Sequence, residues 1–355
     1  SAADAQTGWF GTNKIQYRNF DWRVLKGPHV DLYYYPAEER IARMALAYAE
    51  ESYLALEQRF HHSVRFRIPL IIYASHADFE QTNVLPFVPP EGVLGVTEFL
   101  KQRVTVPFRG KYAEFRHTLR HELVHVFQLS LAQRQFQLYP RGRSGATPLW
   151  WSEGLAEYWS SEQDTRDEMI VRDLTVNGQM PTIRQLGLTW SPIVYPIGGE
   201  LHRFLARKYG DWRITDLYES LWKYESFDEA LVATYGRSLE RLTDEWHYDL
   251  RERYFPQVES RRPVDVAGTR LEQLAVKPVA LPRNDGGAEI AYLSPRSGYT
   301  DIYLVPLHER RRGRPRVEVK GERTPEFESF HTFSSRMDAR EGVLLFSSKF
   351  GDRDA

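Results

Sequence analysis

The chain has 355 residues, of which 42% are hydrophobic and 27% are charged, and its formal net charge is −1. This length predicts two domains rather than one core, and the near-zero charge does not favour nucleic acid or an anionic membrane as a partner. The absence of cysteine excludes disulfides, thiol catalysis and thiolate metal sites.

No apolar run of the sequence is long enough to predict a membrane-spanning helix. The most apolar run, Pro69–Ala74, is strand-sized and far shorter than the roughly 18 residues of a spanning helix. We interpret Ser1–Gln6 as the remnant of a cleaved segment or an expression scar, and residues 1–27 as an N-terminal extension. The basic cluster Arg310–Arg316 is predicted to be a solvated loop, with an anionic partner as the alternative.

The elements between residues 28 and 256 change character along the chain. Strands and helices alternate in the first part, and helices follow alone from Glu153 to about Tyr254. Pro69 places its strand towards an edge or a bulge, since proline cannot donate to a ladder. We therefore predict an α+β domain with a small mixed sheet beside a helical half. Its predicted early elements are strand Val30–Tyr35, helix Glu38–Phe60, strand Phe66–Tyr73, paired strands Val93–Thr97 and Arg103–Pro107, and helix Ala113–Leu131.

Residues 264–355 form a second predicted unit, after a linker at Arg261–Pro263. Ile290–Ser294 and Leu344–Ser348 are similar segments 54 residues apart, a period typical of propeller blades. They resemble the repeats of TolB-like β-propellers, which implies partial blades, a chain cut from a longer protein and a surface for protein contacts. An unrelated β-sandwich fragment is the alternative.

A metal-binding motif lies in the predicted helix Ala113–Leu131. His121, Glu122 and His125 form an H-E-x-x-H pattern, in which the two histidines stand four residues apart on one helical face and can reach one ion. An apolar stripe on the opposite face anchors the helix in the core. That stripe consists of Phe115, Leu119, Leu123 and Val126. His117 extends the histidine face by one turn, and we interpret it as a core histidine or a partner of the site.

Catalytic zinc needs a third protein ligand and one open position. With the downstream segment Pro148–Tyr158, the sequence resembles the gluzincin peptidases, in particular the peptidase MA-like families related to thermolysin and the M1 aminopeptidases. The resemblance implies a zincin-like fold, one zinc ion, Glu153 as third ligand and Glu157 as the acid that holds a ligand histidine. A metzincin site is excluded because it needs glycine at 128 and histidine at 131, where the chain has Gln128 and Leu131.

The spacing departs from that family. Twenty-seven residues separate His125 from Glu153, more than is usual, and Gln133–Thr147 is predicted to be an inserted loop at the cleft. Glu157 and Asp164 therefore remain alternative ligands.

The same parts imply a mechanism. Zinc polarises the scissile carbonyl and lowers the pKa of its water to about 7, and Glu122 acts as general base. Tyr195 resembles the tyrosine of the M1 Y-x-x-G segment, which implies a donor to the oxyanion; a packed core phenol is the alternative. His202 is a weaker candidate for this role.

The strands from Gly92 to Pro107 are predicted to present an edge to an extended peptide, as in zincins. Within them, Gly95–Phe99 resembles a degraded M1 G-x-M-E-N segment, which implies that Glu98 binds a substrate N-terminus. The alternative is a carboxylate at the cleft edge.

We expect a zinc peptidase acting on peptides or unfolded proteins, exported to the periplasm or outside a bacterial cell by resemblance. Endopeptidase and aminopeptidase activities both stay open. The alternatives are a catalytically inactive zincin-like scaffold whose propeller binds proteins, and hydrolysis of a non-peptide substrate by the same site.

Overall fold

A computed structural model of the chain describes residues 18–83, 92–98, 101–140, 147–160, 164–189, 191–262, 264–283, 287–308, 311–330, 332, 335–350 and 353–354. Over these residues the fold is mixed α+β, as predicted, and no sheet closes into a barrel. They divide into two compact units, one with the described residues up to 83 and from 94 to 260, the other with residues 92–93 and those from 261 onward. None of the described helices is long and apolar enough to cross a membrane.

The first unit contains a five-stranded sheet in the order β1-β2-β3-β5-β4. The strands are β1 (Arg23–Lys26), β2 (Val30–Tyr34), β3 (Ile68–Tyr73), β4 (Val96–Thr97) and β5 (Val104–Pro107). The central strands β2, β3 and β5 run parallel, while β1 and β4 are antiparallel to their neighbours. The predicted strands are confirmed, and the short strand β4 forms an edge.

The strand β3 is central, so the prediction that Pro69 marks an edge or a bulge is wrong. Ile68 donates its N–H to His29 O at 2.9 Å, on the β2 side. Because donor directions alternate along a strand, position 69 points to the β5 side, where pairing begins only at Leu70. The missing N–H of Pro69 therefore costs no ladder hydrogen bond.

The sheet also begins earlier than residue 28, the boundary predicted from the sequence. Strand β1 lies inside the predicted extension, and Phe20 and Trp22 ahead of it pack against Tyr35 and Tyr73 with ring centroids 4.8 to 5.8 Å apart. These ring contacts fasten the segment to the sheet, although Trp22 itself stays 40% exposed.

Helices make up the rest of the first unit. They are α1 (Glu39–Phe60), α2 (His76–Glu80), α3 (Tyr112–Leu138), α4 (Leu149–Ser160), α5 (Thr165–Val176), α6 (Ile183–Leu186), α7 (Val194–Tyr209), α8 (Trp212–Ser220), α9 (Phe227–Tyr235) and α10 (Leu239–Val258). Helix α3 is longer than predicted and takes up the first part of the expected loop Gln133–Thr147, whose residues 141–146 lie outside the described part. The predicted apolar stripe of α3 is buried, at 0 to 2% exposure.

Helices α4 and α7 approach each other backbone to backbone. Gly154 and Gly198 meet at their crossing, where an added Cβ on either residue would overlap backbone atoms of the opposite helix. The pair brings Glu153 on α4 near Tyr195 on α7.

The second unit is mainly antiparallel. Strands β6 (Val276–Pro282), β7 (Ala288–Ser294), β8 (Asp301–His308) and β10 (Arg316–Val319) form one sheet, with β9 (Arg311–Arg312) paired to β8. The remaining elements are α11 (Val264–Ala267), β11 (Ser329–Phe330), β12 (Asp338–Arg340), β13 (Val343–Leu345), β14 (Ser348–Phe350) and β15 (Arg353–Asp354).

The two similar segments of this unit differ in structure. Ile290–Ser294 belongs to the single strand β7, whereas Leu344–Ser348 is divided between β13 and β14. Gly351 of the second segment lies outside the described residues. The likeness in sequence thus does not extend to equivalent strands, and the propeller stays a prediction.

Candidate metal centre

Three side chains from α3 and α4 converge on one point. The Nε2 atoms of His121 and His125 are 3.2 Å apart, and Glu153 Oε2 lies 3.2 Å from the first and 3.1 Å from the second. All three side chains are at most 16% exposed. Such a set can hold a metal ion. The sequence motif and the distant glutamate therefore meet as predicted.

The charges of these groups are strongly coupled. Burial disfavours a charged His121, but the hydrogen bonds with Glu153 and Glu157 outweigh it and raise the pKa of His121 to about 10. Burial also opposes a charged Glu153, yet the neighbouring His125 and His121 hold the pKa of its carboxyl well below the usual range. The site thus stabilises a carboxylate beside two imidazoles.

An outer carboxylate orients His121. Glu157 Oε1 lies 3.1 Å from His121 Nδ1, and Glu157 Oε2 lies 3.4 Å from His117 Nε2. His117 in turn contacts Ser160 Oγ through Nδ1 at 3.0 Å. Since an ionised carboxylate can only accept, it favours a proton on His121 Nδ1 and leaves Nε2 free for a metal.

The two alternative ligands of the sequence analysis are engaged elsewhere. Glu157 contacts His121 at Nδ1, on the side away from Glu153. His117, His121 and Glu157 form a second group of possible ligands. Asp164 is the N-cap of α5 and accepts hydrogen bonds from the backbone N–H groups of Arg166 and Asp167. Glu153 is therefore the carboxylate that meets both motif histidines.

Glu122 is buried beside the candidate metal ligands without belonging to either group of possible ligands. Thr97 of β4 donates from Oγ1 to Glu122 Oε2 at 2.7 Å. Burial raises the pKa of Glu122, against the opposing effect of His125 and His121. Gly95 passes so close that an added Cβ would lie 2.9 Å from Glu122 Oε1. The edge strand thus contacts the carboxylate directly.

Tyr195 lies at the site and His202 does not. The Tyr195 ring stacks on His121 at 5.9 Å with an angle of 16° between the planes. Burial, followed by the charges of Glu153 and Glu122, raises the pKa of Tyr195 far above its usual value. His202 is completely buried against Trp151, with Nδ1 2.8 Å from the Gly198 carbonyl, and burial lowers the pKa of His202 to about 3.

Glu98 is engaged by protein groups. Its Oε2 accepts from Arg103 Nε at 3.1 Å and from the backbone N–H of Lys101 at 3.1 Å. A substrate amine would have to compete with this ion pair, which favours the cleft-edge interpretation. Phe99 of the same predicted segment lies outside the described residues.

Three contacts escaped the sequence analysis. Thr97 and Gly95 contact Glu122, although only Glu98 of that segment was assigned a role. Gln128, considered only for excluding metzincins, lies 2.8 Å from His125 Nδ1. Its position three residues after His125, on the same helical face, was the available signal.

No family model matches the chain, and no curated protein matches it either. The functional assignment therefore depends on the residues and the geometry of this site.

Proposed function

We propose that the chain is a zinc-dependent peptidase of the gluzincin type, with His121, His125 and Glu153 as metal ligands and Glu122 as general base. The observation that carries the proposal is the convergence of three ligand atoms, pairwise 3.1 to 3.2 Å apart, next to a fourth buried group that is not a ligand.

The ligand set fits zinc in chemistry and size. Two imidazoles and one carboxylate are ligands of catalytic zinc, and a tetrahedral ion with bonds of about 2.05 Å separates its ligand atoms by about 3.3 Å. The observed separations are close to that value. A bound zinc ion would supply Lewis-acid polarisation of a carbonyl and would acidify a water molecule.

The residues around the ligands supply proton transfer and charge stabilisation. Glu122, with its raised pKa, is suited to take a proton from water and pass it to the leaving amine. Tyr195 is protonated at neutral pH, as an ordinary tyrosine is, and its raised pKa keeps it protonated at more alkaline pH, so its hydroxyl can donate to a developing oxyanion.

The edge strand supports a peptide as substrate. Among the described strands β4 pairs only with β5, and its Thr97 lies against Glu122, so a peptide that paired with the other side of β4 would lie beside the base. The proposal takes export to the periplasm or the medium, and protein contacts through the β-rich unit, from the family resemblance alone.

The test compares Glu122→Gln with Glu114→Gln, a partly buried glutamate on the same helix that pairs with Lys111. Peptide libraries are digested with and without a chelator and read by mass spectrometry, and the zinc content of each variant is measured. Glu122→Gln should keep zinc and lose about 10²- to 10⁴-fold in turnover, because an amide cannot take the proton. Glu114→Gln should behave like the unmodified chain.

The outcomes separate the proposal from its alternatives. Unchanged turnover by Glu122→Gln would remove Glu122 as base. Zinc binding without cleavage of any peptide would favour the inactive scaffold or a non-peptide substrate, and a chain that binds no zinc would refute the metal site itself.

A further inference from the structure

Gln128 connects the two helices that carry the proposed metal ligands. It lies on α3 one turn after His125, is 9% exposed and places its amide between three groups. Gln128 Oε1 is 2.8 Å from His125 Nδ1, while Nε2 donates to Ser152 O at 3.1 Å and to Tyr218 Oη at 2.9 Å. Ser152 precedes the ligand Glu153 on α4.

The Ser152 carbonyl determines which way this amide faces. A backbone carbonyl can only accept, so the NH₂ group of Gln128 must point to Ser152 and its oxygen must point to His125. An amide oxygen also only accepts, so Gln128 favours a proton on Nδ1 of a neutral His125. This leaves the lone pair on Nε2, the atom that faces Glu153 and His121.

We propose that Gln128 is a positioning residue for the metal site: it holds His125 in the tautomer that presents Nε2 to the ion and ties α3 to α4 beside Glu153. This inference rests on the proposed metal-dependent function. The two ligand histidines would then be oriented by different chemistry, His121 by the carboxylate of Glu157 and His125 by a neutral amide.

A neutral partner has a specific consequence. A second outer carboxylate would add negative charge to a site that already holds Glu153, Glu157 and Glu122. All three of these carboxyl groups already raise the pKa of His121. The amide orients His125 without adding charge, and its two donated bonds use protons that a carboxylate lacks.

Gln135 offers a matched control. It lies two turns further along α3, is 7% exposed, and donates from Nε2 to the Tyr218 backbone carbonyl instead of contacting a ligand. Gln128→Met and Gln135→Met each remove a buried amide from one helix, so both lose folding stability. Only the first removes a partner of the metal site.

The first measurement is zinc affinity by competition with a chelator. Gln128→Met should bind zinc about 10- to 100-fold more weakly, the usual effect of losing an outer partner of a ligand, while Gln135→Met should bind as tightly as the unmodified chain. Gln128→Glu keeps an acceptor for Nδ1 and should recover part of the loss. Equal affinities for the two methionine variants would overturn the proposal.

The second measurement is the His125 tautomer, by nitrogen-15 NMR on metal-free protein above pH 10, because the pKa of His121 is about 10 and the imidazoles are neutral only above it. The proton should be on Nδ1 in the unmodified chain and distributed over both nitrogens in Gln128→Met. A proton on Nε2 would overturn the inference whether or not the chain is a peptidase. A zinc-loaded chain without peptidase activity, but with the expected tautomer and affinity loss, would refute the proposed function and leave the role of Gln128 intact.

Discussion

The glycine contact between α4 and α7 offers a direct test of how packing positions the metal ligand. In Gly154→Ala, the added Cβ would lie 2.6 Å from Gly198 Cα, and closer still to its carbonyl carbon, whereas ordinary contact begins at 3.4 Å. The opposing atoms are backbone and cannot rotate away. The helices must therefore separate locally by at least about 0.8 Å, the difference between the two distances.

Two effects of opposite sign follow for stability. Alanine is favoured over glycine within a helix by about 1 kcal/mol, and overpacking costs about 1 to 3 kcal/mol. Gly199→Ala provides the comparison, because its Cβ would meet the side chains of Arg203 and Glu157 at 3.1 Å and the backbone oxygen of Gly154 only at 3.9 Å, an ordinary contact. Both variants gain the helix propensity, so Gly154→Ala should be less stable than Gly199→Ala by roughly 1 to 3 kcal/mol.

The effect on the site should exceed the effect on the fold. Glu153 precedes Gly154, and a functional constellation tolerates displacement of only about 0.5 Å. We expect the zinc affinity of Gly154→Ala to fall at least about tenfold, by comparison with the loss of an outer partner. Urea unfolding and chelator competition measure the two effects. Gly154→Ala with the stability and zinc affinity of Gly199→Ala would refute this account of the helix contact.

Three further predictions concern the ligand, the ion and a buried histidine. Glu153→Ala should weaken zinc binding by more than the roughly 10- to 100-fold expected for an outer partner; unchanged affinity in chelator competition would assign the ligand to another carboxylate. Zinc at 100 times its dissociation constant should stabilise the fold by about 2.7 kcal/mol, because the ion binds only the folded site, and an unaltered melting temperature would contradict this. The pKa of His202 is about 3, below the usual 6.5, so its contribution to stability is complete above pH 6.5 and is lost as the pH falls towards 3, by up to about 1.4 kcal/mol per pH unit. The free energy of unfolding of His202→Phe should accordingly fall less steeply between about pH 6 and 4, and equal slopes would show that this burial does not control acid stability.

The sequence alone was sufficient for features that depend on local periodicity. The spacing of His121 and His125 predicts a shared helical face, and the apolar residues of the same helix predict which side is buried. Strands β2, β3 and β5 follow from short runs rich in aliphatic and aromatic residues, and the pairing of β4 with β5 follows from two such runs close together in the sequence. These patterns involve residues close together in the sequence, so they can be recognised without knowledge of the tertiary structure.

Only the tertiary structure decided between groups that compete for the same role. Glu153, Glu157 and Asp164 are all acids beyond the motif, and the choice among them depends on where α4 and α5 lie against α3. The contact of Thr97 with Glu122 joins residues 25 apart, and that of Gln128 with Tyr218 joins residues 90 apart. Such partners are selected by packing across the core and leave no periodic pattern along the chain. The family resemblance implied Glu157 as the partner of one ligand histidine, but the amide partner of His125 became evident only in three dimensions.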